Sequence, residues 1–324
     1  MKHTDRRSFL KIAGASIGIG ALYHVLPAPA HGLAGEMLDH MKSMNGEKPS
    51  PFSFVQLSDA HVGFNGPPDP LGTKAFERAV EMVNALPQQP DLVLFTGDLT
   101  HDSEDKDVHS KRMQNFREIA GRLKTKKLMC VPGEHDAGLD GGALFRDAFG
   151  PTHYSFDHRG VHFVALDNVS RAKPEVGKEQ IAWLKSDLAL FNKSTPIVLF
   201  THRPLFDLKP EWEWFTSDGD DVINVLQAYD NVTVLYGHIH TDHEHVEGHV
   251  HNYAARSLIF AFPQPTEPAK KPFPFDKDQP FKHLGIRVVS AAPKRPVAVQ
   301  DVELTLREYS GLNGIQQILK SPKV

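Results

Sequence analysis

Cysteine is nearly absent. Cys130 is alone in 324 residues, so the chain forms no internal disulfide and its chemistry is not that of paired thiolates. Set in the apolar run "KLMCVP", Cys130 reads as a small buried hydrophobe. A basic excess is missing too. Lysine and arginine number 36 against 40 aspartates and glutamates, a formal net charge of -4. This balance lacks the clustered positive footprint of a phosphate-backbone binder and argues against nucleic acid as a partner. Long apolar runs are also scarce: the stretch from about Ile12 to Leu26 is short and glycine-rich for a membrane span. Histidine is what the chain has in quantity, 19 residues, which favours imidazole and carboxylate chemistry. With 40% hydrophobic and 23% charged residues, the composition is that of a globular protein with one large domain or two small ones.

The first 30 residues read as an export signal. "TDRRSFLKIAGASIGIGALYHVLPAPAHG" runs from basic residues through an apolar stretch to the small-residue pattern Ala28-Pro29-Ala30. Arg6 and Arg7, followed by Ser8, Phe9, Leu10 and Lys11, resemble the bacterial twin-arginine signal, whose export machinery carries folded proteins. The expected location is the periplasm, with cleavage after Ala30 and no stable membrane span in the mature chain; retention as a signal anchor is the alternative. Residues 31–50 read as a linker, 51–310 as the folded domain and 311–324 as a C-terminal tail.

Within the domain, five apolar runs of strand length end in polar residues: "FSFVQLSDAH", "DLVLFTGDL", "KKLMCVPGEHD", "PIVLFTHRP" and "VTVLYGHIH". Helical periodicities lie between them, among them "TKAFERAVEMVNAL" and "KEQIAWLKSDLALF", the latter placing Ile181, Leu184, Leu188 and Leu190 on one face. Continuous apolar strands must be covered on both faces, so the alternation argues for an α/β fold. "HYSFDHRGVHFVALDN" reads as a hairpin around "DHRG", adding an antiparallel pair and a second or mixed sheet. "FPQPTEPAKKPFPFDKDQP" holds six prolines in nineteen residues and reads as an extended surface loop. "HLGIRVVSAA" and "PVAVQDVELTL" resume alternation as late strands at a sheet edge.

Each of the five strand runs ends with ligand-type residues: Asp59 and His61, Asp98, Glu134 and His135, His202, then His238 and His240. Carboxyl ends of strands in open α/β sheets converge on the ligand crevice, so these side chains should meet. Imidazoles with carboxylates suit Mn, Fe or Zn. More donors are present than one ion needs, and two ions about 3.5–4 Å apart sharing a carboxylate would use them.

The blocks "DAH" (59–61), "GD" (97–98), "GEHD" (133–136), "TH" (201–202) and "GHIH" (237–240), in that order, resemble those of the calcineurin-like metallophosphoesterases. The resemblance covers about residues 52–260, and its hairpin is similar to one in cyclic-nucleotide phosphodiesterase and purple acid phosphatase relatives. It implies a four-layer α/β/β/α sandwich of two mixed sheets flanked by helices, hydrolysing a phosphodiester or phosphomonoester with two metal ions, Fe and/or Mn or Zn. Carried over residue by residue, it implies that Asp59, His61 and His240 hold the first metal, that Asp98 bridges, and that His202 and His238 hold the second. A hydroxide bridging the two ions would attack phosphorus. His135 would be the catalytic acid beside the phosphate, with Asp136 orienting it.

Glu134 departs from the pattern, which has asparagine there. Asparagine offers a neutral oxygen and an NH2 donor; ionised glutamate offers acceptors only. An extra carboxylate makes the site less positive by one charge, which counts against a doubly charged phosphomonoester. Three readings are open: Glu134 joins the second metal site with a trivalent ion, it favours a less charged substrate, or it swings out and leaves weak hydrolysis. The competing reading of the whole chain is therefore an exported metal-binding protein of the same fold with little or no hydrolase activity. His101, Asp102 and Arg203 are candidates for substrate contact beside the ligands. His243, His245, His249 and His251 are expected on one hairpin face as an accessory metal surface or a solvated one. Trp212 and Trp214 either stack on a ring or pack onto the sheet.

Overall fold

Strand β1 (Phe52–Leu57) divides its side chains between two cores, Phe52 and Phe54 into one, Val55 and Leu57 into the other. That division is why its apolar residues fall on both faces and do not alternate. The computed structural model describes residues 48–293 and 295–307. The expected export signal, the expected linker through residue 47 and the expected C-terminal tail lie outside the described residues.

Strands β2 (Leu92–Thr96) and β3 (Leu128–Val131) extend β1 in parallel. The second sheet begins with the expected hairpin, β4 (Tyr154–His158) and β5 (Val161–Ala165), whose two-residue turn places Arg159 and Gly160 at positive φ, the geometry that matches strand twist. It continues through β6 (Ile197–Phe200), β7 (Val232–Tyr236) and a hairpin of β8 (His243–Glu247) and β9 (Val250–Ala254). The late strands β10 (Gly285–Ala291) and β11 (Ala298–Glu303) return to the first sheet. The two sheets have the orders β11-β10-β1-β2-β3 and β4-β5-β6-β7-β9-β8; the first is antiparallel from β11 to β1 and parallel from β1 to β3, the second parallel at its centre and antiparallel at both edges.

Three apolar layers follow from this arrangement. Between the sheets lie Phe54, Leu94, Phe163, Phe200 and Leu235, with Phe54 edge-on to Phe163 at 5.4 Å. Helices α1 (Lys74–Asn84), α2 (Lys106–Ala120) and, beyond a single turn α3 (Glu134–Ala137), α4 (Ala143–Phe149) share a core with the first sheet. Helices α5 (Lys178–Leu188) and α6 (Gly219–Leu226) share one with the second. The architecture is the expected four-layer α/β/β/α sandwich. One expected core residue is displaced: α5 ends at Leu188, so Leu190 falls past the helix and is half exposed.

The second sheet also buries a charge. His162 on β5 lies between Asp157, 2.9 Å from Nδ1, and Asp187, 2.7 Å from Nε2. Burial opposes its protonation, but the two carboxylates prevail and raise its pKa above the ordinary value. A group whose pKa is higher folded than unfolded stabilises the protein below its unfolded value, near 6.5, and loses that contribution as pH rises through the folded value. The thermal midpoint should therefore fall as buffer is moved upward from about pH 6.5. His162→Gln should flatten that slope and cost about 3–5 kcal/mol, because two buried carboxylates lose their cation. A wild-type midpoint indifferent to pH over this range would remove the explanation.

Candidate metal centre

The five strand ends meet as expected, in backbone conformations that only strong local constraint sustains. Asp59, His61, Asp98, His238 and His240 have φ of 55°, 41°, 49°, 66° and 53°. Left-handed backbone costs a non-glycine residue about 1–2 kcal/mol, and such strain clusters at functional sites. Two glycines permit the approach. A Cβ on Gly97 would lie 2.2 Å from His202 Nδ1, and one on Gly237 would lie 2.0 Å from Ser58 Oγ and 2.7 Å from Asp59 Oδ2. No side chain fits where these loops close on one another.

Two adjacent donor pockets result. The first joins Asp59, His61, Asp98 and His240; the second joins Glu134, His202 and His238. In the first, His61 Nε2 lies 3.2 Å from both His240 Nε2 and Asp98 Oδ2, and His240 Nε2 lies 3.3 Å from Asp59 Oδ1. In the second, Glu134 places Oε2 2.9 Å from His202 Nε2 and Oε1 2.8 Å from His238 Nδ1. Asp98 Oδ2 is also 3.4 Å from His202 Nε2, so one oxygen stands between the pockets. Separations of about 3.0–3.4 Å are what donors bonded at about 2.1 Å around one ion adopt, and those of the first pocket lie in that range, while the contacts of Glu134 are at hydrogen-bond distance.

The protons make the case sharper than the distances. Backbone carbonyls only accept, so Thr96 O, 2.7 Å from His202 Nδ1, and Phe260 O, 2.8 Å from His240 Nδ1, fix the hydrogens on those nitrogens. Glu213 O, 3.0 Å from His238 Nε2, fixes the third. The opposite nitrogen of each ring then faces the pocket carboxylates. Burial opposes charge on His202, but Asp98 and Glu134 raise its pKa well above the ordinary value, so a proton lies between it and Glu134, whereas burial lowers that of His238. His202 Nε2 and Glu134 Oε2 are both buried, 2.9 Å apart. Burial works against ionising Glu134, yet His238 and His202 hold its carboxyl well below the usual range. Burial and the neighbouring rings of His240, His135 and His101 push His61 well below the ordinary imidazole value, leaving it a neutral donor. Buried imidazole nitrogens and carboxylate oxygens converging in this way fit metal cations, which would take the place of the His202 proton, and the donor set matches Mn, Fe or Zn.

Beside the pockets, His135 donates its backbone N–H to Asp98 Oδ1 at 3.0 Å, and its ring stacks on that of His101 at 4.7 Å. Its orienting partner is not Asp136. Asp102 Oδ1 lies 2.6 Å from His135 Nδ1, and Arg112 on α2 braces that loop by donating to the carbonyls of His101 and Asp102. Asp136 is buried and points away. Its carboxylate accepts from the backbone N–H of Leu99, Thr100 and Gly133 and from Thr100 Oγ1, at 2.8–3.0 Å. The reason is local: residues 134–137 form a helical turn, on which successive side chains point about 100° apart. Asp136 therefore braces the loops carrying Asp98 and Glu134, and no catalytic contact is left to it.

Glu134 points into the second pocket and not away from it. Arg203, mostly buried, comes within 3.4 Å of its Oε1. Trp214 and Trp212 are buried against Tyr236 and Ile239, so packing is their role. The hairpin histidines do not share a face. His243 and His245 lie on one side of β8, His251 pairs with Val246 on the other, and His249 stands in the turn, bonded to the Tyr229 carbonyl. Sequence reasoning missed Asp102 as the partner of His135, and it missed the carbonyls of Phe260 and Glu213. Main-chain acceptors from distant loops leave no residue-type signal.

Fold and donor set together define the class: an α/β/β/α sandwich with two adjacent donor pockets that could hold metal ions. The chain belongs to the calcineurin-like phosphoesterase family, whose profile matches residues 52–242, and it is a phosphoric ester hydrolase. It is 22% identical over 220 residues to the 3',5'-cyclic-nucleotide phosphodiesterase alr5338 of Nostoc sp., a match covering 65% of this chain and 80% of that protein. It is 26% identical over 212 residues to the serine/threonine-protein phosphatase CPPED1 of Danio rerio, covering 59% of this chain and 65% of that one. The solved purple acid phosphatase PPD1 of yellow lupin shares the fold, with a TM-score of 0.61 at 14% identity, covering 79% of this chain and 52% of that structure.

Proposed function

We propose that the chain hydrolyses a small phosphodiester or phosphomonoester at two metal ions, held by Asp59, His61 and His240 in one pocket and by Glu134, His202 and His238 in the other, with Asp98 between them. The observation that carries this reading is the convergence of four imidazoles, three of them oriented by backbone carbonyls, on buried carboxylates. Ions there would bring a bound water into the hydroxide range, as the bridging nucleophile, and neutralise phosphoryl oxygens. His135, held by Asp102, supplies the proton that the leaving oxygen requires. The relatives named as phosphodiesterase and phosphatase support the ester class.

Turnover of a panel of monoesters, diesters and cyclic nucleotides should appear when Mn, Fe or Zn is restored to chelated protein. Rates no higher than the metal-free control under every condition would favour the metal-binding alternative. On the residues of the Arg6-Arg7 signal we also place the mature protein in the periplasm. Replacing both arginines with lysine should keep it in the cytoplasmic fraction, and unchanged export would overturn that placement.

A further inference from the structure

Glu134 adds a third carboxylate to a site that must attract an anion, and the structure supplies a cation beside it. Arg203 follows the ligand His202 on the loop leaving β6. Its backbone is clamped at both ends by one side chain: Arg203 N donates to Asn168 Oδ1 at 3.3 Å, and Asn168 Nδ2 donates to Arg203 O at 3.0 Å. Asn168 is held in turn by Thr216 Oγ1 at 2.8 Å. The guanidinium is equally constrained. Nη1 donates to Glu213 O at 2.9 Å, the same carbonyl that sets the tautomer of His238, while Nη2 faces Glu134 Oε1 at 3.4 Å. Nε is buried with no partner. A guanidinium has five N–H donors, and leaving them unmatched in a buried setting is unfavourable unless an acceptor arrives.

We propose that Arg203 is the built-in counter-charge of Glu134 and a specificity-determining residue, which lets the site accept a doubly charged phosphoryl group despite the extra carboxylate. The inference rests on the phosphoesterase reading above and narrows its substrate class. A neutral ligand in place of Glu134 would leave the site one charge more positive; Arg203 returns that charge while Glu134 still gives the second pocket an anionic donor. Its planar fork matches a phosphoryl oxygen pair, which a point charge would not. The objection to monoesters raised by Glu134 alone is thereby cancelled by a residue that only the fold brings to it. The same pairing has a second consequence: a fixed cation beside Glu134 weakens the hold of the second pocket on a metal.

Calorimetric titration separates these effects without relying on turnover. Metal-free protein is titrated with Mn(II), and Mn-loaded protein with orthophosphate at pH 8, then with dimethyl phosphate, which carries one charge. Arg203→Met should bind orthophosphate at least about tenfold more weakly, dimethyl phosphate no more than about threefold more weakly, and Mn(II) in the second pocket more tightly. Glu134→Gln should shift both in the opposite sense, with tighter orthophosphate and weaker Mn(II). Arg203→Lys, which keeps the charge, should stay between wild type and Arg203→Met. Unchanged orthophosphate binding in a folded, metal-loaded Arg203→Met protein would overturn the proposal. Should that variant fail to fold, Glu134→Gln decides it, since unchanged or weaker orthophosphate binding there has the same force. Failure to hydrolyse any ester counts against the hydrolase reading alone, because these shifts are read on anions that do not react.

Discussion

Asp98→Asn is expected to lower kcat/KM by about 10³-fold or more and to strip metal from both pockets together. The substitution is nearly isosteric and keeps Oδ1 as acceptor for the His135 backbone N–H, so the loop should hold its shape. What changes is Oδ2. It stands 3.2 Å from His61 Nε2 and 3.4 Å from His202 Nε2, one oxygen shared by two imidazoles from different sheets. An NH2 in its place would donate to those lone pairs, removing an anionic ligand and occupying two others. Metal content measured by mass spectrometry alongside kinetics checks this: a variant with wild-type metal content and activity would refute the bridging position. Loss of metal from one pocket only would place Asp98 with that pocket.

His135→Gln should retain metal yet lose about 10²–10⁴ in kcat for esters with strongly basic leaving groups, and far less for nitrophenyl esters, whose leaving oxygen needs no proton. Burial works against charge on His135, but Asp98, Glu134 and the contact with Asp102 raise its pKa to about 9. The protonated ring is the working form, so its contribution is present below that pKa and disappears as pH rises through it. Ions in the pockets share the charge of Asp98 and Glu134, which brings the alkaline fall of kcat to between about pH 6.5 and 9. Asp102→Asn should move that fall to lower pH with metal content intact. An alkaline limb that survives unchanged in His135→Gln would assign it to another group.

Much of the site was legible because strand ends in a sandwich have few places to go. An apolar run buried on both faces must stop where polar residues begin, and parallel strands stop at the same edge. The seven proposed ligands could thus be named from five short strings. The role of Asp136 was misread for an equally physical reason. Adjacency in sequence suggests contact, but a helical turn sends neighbouring side chains in different directions, and the carboxylate that reaches His135 comes from the loop after β2, 33 residues away. Leu190 shows the same limit, since periodicity continues past a helix that has already ended.

Hydrophobic patterning dictates which segments are strands and where their ends converge, so the donor types that gather are already written in the residue order. How those donors are used depends on packing between distant segments. Tautomers were set by the carbonyls of Thr96, Glu213 and Phe260, His135 was paired with Asp102, and Glu134 was met by Arg203. Each of these depends on separate segments lying within about 3 Å of one another in a folded chain, and hydrogen-bond range is far shorter than any distance a residue pattern encodes.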